Sequence, residues 1–363
     1  MKTRWRHRML LSVLVCLSGI GLSAVAAWRQ ETSNRNYAAE EFEHLAAGIS
    51  EQIGHRLWLY QYGLRGARGA VISAGYDAMT RSRFLAYHNS RNVDLEFPGA
   101  RGFGLIRRVP MESQAAFVAA ARAEEVPDFS VRSLSDHDGD RYIILYIEPV
   151  ARNLQAVGLD IASEANRRTA AVNAMRSGET TITAPITLVQ ASAKSSQSFL
   201  VLMPVYWPGA PTTSVKERET ALFGWVYAPL VMSEILSDID TGADRALITV
   251  YDVTDPSQGR AEPFFGESAP ADALQHTDHL DVYGRQWQVT ASATPKFFSR
   301  LRLTTPREVF LYGAALSLLL AALSYAFQEN RRRRLEVLDK QALLAAIVEN
   351  ANDAIVAEDN DGR

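Results

Sequence analysis

The sequence predicts an α+β protein: a long stalk helix and two mixed α/β modules held between two membrane-crossing helices. Three observations predict it. Two uninterrupted apolar runs lie near the ends of the 363-residue chain, an apolar stripe of three- and four-residue spacing follows the first run, and the middle alternates groups of strands with single helices. The net charge of −3 argues against a general nucleic-acid binder.

The first run, MLLSVLVCLSGIGLSAVAAW, occupies residues 9–28. At about 1.5 Å per residue it spans about 30 Å, the thickness of a bilayer core. Lys2, Arg4, Arg6 and Arg8 stand in the short segment 1–8 before it, and Trp28 marks the far interface. The second run, VFLYGAALSLLLAALSYAF, defines a second membrane segment at 308–328, with Arg331 to Arg334 just beyond. Basic residues collect on the cytoplasmic side of membrane helices. Both clusters lie outside the loop between the runs, so the expected arrangement is a two-pass inner-membrane protein with both termini cytoplasmic and the middle exported. Ala24-Val25-Ala26 has the A-x-A pattern of a signal-peptidase site. The run is long for a signal core, which favours an uncleaved anchor; either reading exports the middle. The sole cysteine, Cys16, lies in the first run, so the exported part relies on its apolar core rather than on disulfides.

The stalk is expected over 29–80. Phe42, Leu45, Ile49, Ile53, Leu57, Tyr60, Leu64, Ala67 and Val71 recur in steps of three or four, one stripe of an α-helix. Ser33 or Asn34 is its expected cap, and Gly75 its stop. Gly63, Gly66 and Gly69 either admit a neighbouring backbone or weaken the helix.

The segment 81–300 reads as strands GFGLIRRVP, FSVRSL, RYIILYIEPV, TTITAPITLV, SFLVLMPVYW, ALFGWVYAPL, ALITVYDV and HLDVYGRQWQVTASAT. MESQAAFVAAARAEEV, EANRRTAAVNAMRSG and LVMSEILSDI read as helices, the second with Ser163 as N-cap and Gly178 as C-cap. Strand groups with single helices predict antiparallel sheets covered on one face, as in PAS-like modules. TLVQASAKSSQS and WPGAPTTSVKERET read as polar loops, and Tyr206, Trp207 and Trp225 as core or rim aromatics.

The order GFGLIRRVP, YIEPVARNLQAVGLDIASEANRRTAAVNAMRSGETTITAPITL, LVLMPVYW, FGWVYAPLVMSEIL and VYGRQWQVTA resembles the CHASE domain, the extracytoplasmic sensor of plant cytokinin receptors and of many bacterial membrane sensors. GLD followed by a helix and a T-x-P strand carries most of the resemblance. It implies a stalk helix and two PAS-like modules, a small-molecule ligand in the membrane-distal module, and a homodimer with contacts along the stalk. It also implies that Asp160 of GLD binds the ligand, together with the carbonyl of Ile182 and with Thr183, which opens Thr183-Ala184-Pro185. On the residues alone, a carboxylate at a strand end facing a helix can accept two hydrogen bonds from a polar heterocycle. It can equally cap the helix beginning near Glu164.

SDHDGDRY lacks the glycine and distal glutamate of an EF-hand loop, so Asp138-Gly139 reads as a turn. His276 and His279 of HTDH read as part of a solvated loop, and no metal or cofactor is expected. No nucleotide loop, G-x-S-x-G elbow or H-E-x-x-H pair is present, and the chain shows no catalytic motif. After the arginines, Leu335, Leu338, Ala342 and Ala345 space a coiled-coil-like linker over 329–345. Residues 346–363 resemble the opening of a PAS domain, with AIVAED as its first strand. A chain cut within its first cytoplasmic module is expected, the other reading being a C-terminal helix with an acidic tail. Together these features predict a membrane-bound receptor whose output is a histidine kinase or a cyclic-di-GMP enzyme. The alternative is a non-signalling exported scaffold or binding module.

Overall fold

The computed structural model describes residues 2–124, 128–188, 197–255, 262–270 and 272–359, with side chains described between Leu10 and Val348. Contacts divide the chain into two units, one of residues 40–300 and one of 1–39 with 301–363.

The 40–300 unit is built on two sheets. Strands β1 (Phe103–Val109), β2 (Arg132–Ser133), β3 (Arg141–Glu148), β4 (Leu159–Asp160), β5 (Thr181–Ile182), β6 (Ser198–Tyr206) and β7 (Leu222–Val231) form a seven-stranded sheet in the order β2-β4-β3-β1-β7-β6-β5. All its pairs are antiparallel except β2 with β4. Strands β8 (Ala246–Asp252), β9 (Gln275–Val282) and β10 (Arg285–Ala293) form a second sheet in the order β8-β10-β9. The helices are α1 (Lys2–Ala74), α2 (Arg81–Asn89), α3 (Val93–Glu96), α4 (Gln114–Glu124), α5 (Val150–Asn153), α6 (Ala165–Ser177), α7 (Val215–Ala221), α8 (Met232–Leu236), α9 (Pro295–Leu301) and α10 (Pro306–Asp359).

The seven-stranded sheet is covered on both faces, not on one. Strands buried on both sides read as continuous apolar runs rather than as alternation. SFLVLMPV and LFGWVYAPLV are such runs, and β6 and β7 are buried at nearly every position. On one face, Ala170, Ala171, Ala174 and Met175 of α6 pack on Ile106, Tyr142, Ile144, Leu200, Leu202 and Trp225. Their short side chains let the helix sit close, and Trp225 Nε1 donates to the Ala171 carbonyl at 3.0 Å. The other face meets the end of α1 and α2. Tyr76 donates to the Tyr206 carbonyl at 2.7 Å and packs edge-on against Phe223. The Arg107 guanidinium lies 3.8 Å over that same Phe223 ring, and Phe84 stacks on Tyr146. A β-bulge where Val205 and Tyr206 meet β7 turns Phe223 to this side while Trp225 and Tyr227 face α6. A Cβ at Gly63 or Gly66 would collide with Phe103 or Tyr87, so both glycines admit close neighbours; Gly69 faces open space.

Helix α1 runs unbroken through Ser33 and Asn34, where a cap was expected. Thr32 bonds back to the Trp28 carbonyl within the helix, and Asn34 donates to Thr304, so these polar side chains have partners other than a helix start. Gly75 ends the helix in the left-handed region, at φ 81°. The expected polar loop at 207–220 contains α7, started by a capping box of Ser214 and Glu217. The cap of α6 is Glu164, not Ser163. The expected strand at 279–294 is the β9–β10 hairpin, turned at Tyr283 and Gly284, both at positive φ as a two-residue turn requires. His276 and His279 therefore lie on β9 rather than in a loop. Part of the expected loop at 187–198 falls outside the described residues.

In the other unit, the early part of α1 pairs with α10. Gln328 donates to Ser12, Gly19 lies against Ser317, and Gly313 against Ser23. Residue numbers rise along one helix as they fall along the other, so the pair is antiparallel. A Cβ at Gly19 would stand 2.3 Å from Ser317 Oγ, so the glycines set how near the helices come. Both helices are long and apolar enough to cross a membrane. The segment AIVAED, expected as a strand, is the helical end of α10. A helix satisfies its backbone groups locally, whereas a strand needs a partner to do so.

Candidate ligand cavity

The GLD motif sets one wall of the candidate site. Gly158 adopts φ 81°, its N–H donates to the Ile144 carbonyl, and its carbonyl accepts from Arg132. A Cβ here would stand 2.1 Å from the Ser130 carbonyl oxygen. Gly158→Ala is therefore expected to destabilise the protein by about 1–3 kcal/mol, from left-handed strain and a backbone clash. A thermal melt of the full chain checks this; an unchanged midpoint would mean that the turn relaxes freely.

The turn feeds Leu159 and Asp160 into the sheet between β3 and β2. Asp160 is fully buried, at 0% exposure. Its Oδ1 accepts from the N–H of Tyr142 at 2.8 Å and of Ala162 at 3.0 Å. Its Oδ2 accepts from His137 Nε2 at 2.7 Å, and Arg141 Nη1 lies 3.6 Å away. Asp160 thus caps the short turn Ile161–Ser163, while Glu164 caps α6 through the amides of Asn166 and Arg167. Ile182 pairs with Val201 and donates its N–H to the Tyr283 carbonyl, linking β5 to the hairpin of the second sheet. Thr183 is buried, and both its N–H and its Oγ1 bond Leu200.

Between α6 and the sheet lies a cavity of about 10 Å³, lined by Ile144, Ala156, Leu159, Ile161, Arg167, Leu188, Leu200, Tyr227 and Pro229. That is room for about one water. Asp160 and Thr183 are not in the lining, but their direct neighbours are: Leu159 and Ile161 flank Asp160, and Thr183 holds Leu200. Arg167 is 3% exposed and Tyr227 1%. Arg167 donates to the Thr187 carbonyl at 2.8 Å, its one side-chain hydrogen bond among the described residues, and Glu164 stands 4.0 Å off. Burial holds the guanidinium below its usual range, with Glu164 acting in the opposite sense. The Tyr227 hydroxyl has no hydrogen-bond partner among the described residues, and burial pushes it well above the ordinary phenol range. Gly104, paired with Tyr227 across β1 and β7, leaves space for the ring; a Cβ there would meet it at 2.3 Å.

Sequence reasoning missed Arg167, Tyr227 and His137. The signal for Arg167 was present: positions 167, 170, 171 and 174 form one helical face, and the other three are alanines. Tyr227 follows Trp225 at strand spacing. His137 reaches Asp160 only through tertiary folding.

The family model of the CHASE domain matches residues 77–261, about half of the chain. The chain belongs to the CHASE-domain family. The match contains the whole seven-stranded sheet, α6 and every residue of the cavity, and ends before β9 and β10 of the second sheet. CHASE domains are sensor modules, and the chain carries one between its two long apolar helices. No curated protein matches the chain. Among solved structures it is similar to an extracellular ligand binding receptor from Desulfohalobium retbaense, with 10% identity, a TM-score of 0.38 and 71% of this chain covered. The chain spans 39% of that protein. The periplasmic sensory domain of the Campylobacter jejuni chemoreceptor Tlp1 aligns with 11% identity and a TM-score of 0.43, covering 74% of this chain and 98% of that one. The ligand binding domain of Mlp24 with asparagine aligns with 10% identity and a TM-score of 0.32, covering 76% and 98%.

Proposed function

We propose that the chain is a two-pass membrane receptor whose CHASE domain binds a small molecule at the α6 cavity and passes the event to a cytoplasmic output. One observation carries the reading: in the interior of the CHASE domain, a buried cation and a buried hydroxyl without a partner among the described residues line the same cavity. Buried polar groups are ordinarily satisfied, and an exception asks for a functional reason. In this reading Asp160 and Thr183 position the cavity wall, and Ile182 ties it to the second sheet.

The route to the stalk runs through the sheet. Strands β6 and β7 carry Leu200 and Tyr227 on the cavity face, while on the opposite face Phe223 and the backbone carbonyl of Tyr206 meet Tyr76. A ligand that wedges α6 from the sheet favours a different seating of Tyr76, and hence of the stalk. The antiparallel pairing of the two apolar helices supports termini on one side of the membrane, and the flanking arginines favour the cytoplasmic side. Leu335, Leu338, Leu343 and Leu344 are exposed along α10, which supports a homodimer through a coiled coil. The resemblance of the 346–363 sequence to the opening of a PAS domain favours a signalling output, either a histidine kinase or a cyclic-di-GMP enzyme, although AIVAED itself is helical.

The test is a thermal-shift screen of the full chain in lipid nanodiscs against small metabolites. At a hundredfold excess over Kd, a true ligand contributes about 2.7 kcal/mol, or roughly 5–10 °C in midpoint. Ala156→Val, which adds two methyl groups at the cavity wall, is expected to remove the shift. A response that survives this substitution unchanged would place the site elsewhere.

A further inference from the structure

We infer that the ligand of this cavity is a small monocarboxylate with an apolar body and no free ammonium group; the inference rests on the reading of the cavity as the sensory site. The lining sorts into two chemistries. Arg167 offers only donors, and among the described residues its guanidinium hydrogen-bonds a single carbonyl, that of Thr187, at 2.8 Å. The nearest carboxylate, Glu164, already accepts the amides of Asn166 and Arg167 at 2.9 and 3.0 Å. The Tyr227 hydroxyl adds a second donor with no acceptor among the described residues. A buried cation beside an unengaged hydroxyl is matched by an anionic acceptor, and a planar carboxylate fits a guanidinium fork. A phosphate or sulfate dianion would bring one more buried negative charge than the single Arg167 cation balances. Among the described residues no carboxylate lines the cavity, so an amino acid would bury its ammonium without a counter-charge. Ile144, Ala156, Leu159, Ile161, Leu188 and Leu200 make up most of the remaining wall and take the apolar body. Because the cavity is about 10 Å³, such a body separates α6 from the sheet as it enters.

The experiment measures thermal shift and calorimetric affinity of the full chain in nanodiscs. The probes are butyrate, isovalerate, benzoate and phenylacetate, each paired with its amide, with leucine and isoamylamine as the amino-acid and amine controls. At least one carboxylate is expected to raise the midpoint by several degrees, while its amide, leucine and the amine do not. Arg167→Met is expected to weaken that carboxylate about thirtyfold or more. Tyr227→Phe removes only an unpaired hydroxyl, so the fold is kept, and affinity is expected to fall roughly three- to tenfold. If Arg167→Met does not fold, Arg167→Lys and Tyr227→Phe carry the test. No shift from any carboxylate, or equal shifts from acid and amide, overturns the inference. If amides or amines bind and Ala156→Val abolishes their binding, the cavity stands as the site and only the ligand class falls. If Ala156→Val leaves binding untouched, both fall.

Discussion

Replacing Asp160 by alanine should lower the stability of the CHASE domain by about 3–5 kcal/mol, because the substitution leaves buried donors without their acceptor. The carboxylate is fully buried and serves the amides of Tyr142 and Ala162 and the imidazole of His137. Against an ordinary folding free energy of about 5–15 kcal/mol this is a large fraction, and it corresponds to roughly 6–20 °C in melting midpoint. Asp160→Asn should cost less, about 1–2 kcal/mol, since the amide oxygen still accepts from both backbone N–H groups. The pair of variants separates two roles for this residue. If Asp160 positions the wall through Leu159 and Ile161, the asparagine variant folds and retains the ligand response. If Asp160 contacts the ligand, the asparagine variant folds and loses it. An alanine variant that melts with the wild type would show that the carboxylate holds nothing together, leaving ligand contact as its only role.

The asymmetry between what the sequence reveals and what it hides follows from how each feature is encoded. Local chemistry was legible. The left-handed stop at Gly75 and the Gly178 cap of α6 depend on neighbours within a few residues and were read. The alanine face of α6 and the continuous apolar character of β6 and β7 were as local but went unread, and the sheet was expected to be covered on one face only. The capping box of α7 was equally local, Ser214 followed three residues later by Glu217, but it sat among Pro, Gly and Thr residues that read as loop. The cap expected at Ser33 or Asn34 failed for the opposite reason: good cap residues do not end a helix when no glycine or proline interrupts it. Features assembled across the chain were not readable. His137 meets Asp160 across 23 positions, and Tyr227 joins Arg167 only when β7 lies beneath α6. The GLD motif therefore points to the right neighbourhood through its family resemblance. Which atoms there are engaged, and which are unengaged, depends on packing.

That distinction can be measured on a single strand. Trp225 and Tyr227 stand two residues apart on the α6 face of β7, both with a buried polar atom. Trp225 Nε1 has its acceptor, the Ala171 carbonyl at 3.0 Å, and its ring lies 4.5 Å from that of Tyr142. Tyr227 has no such partner among the described residues. Trp225→Ala should cost about 3–5 kcal/mol, from lost burial and the cavity it leaves beneath α6. Trp225→Phe keeps part of the ring but loses the hydrogen bond, and should cost about 1–2 kcal/mol. Tyr227→Phe should behave oppositely, leaving the unliganded protein as stable as the wild type or more stable by up to about 1 kcal/mol, because an unsatisfied buried hydroxyl is removed. Melting midpoints of the three variants decide the matter. A gain for Tyr227→Phe beside a loss for Trp225→Phe marks the tryptophan as part of the fold and the tyrosine as held in reserve for a ligand. A matching loss in both would mean that the tyrosine hydroxyl has a structural partner in the folded protein, and the cavity would then lose one of its two donors.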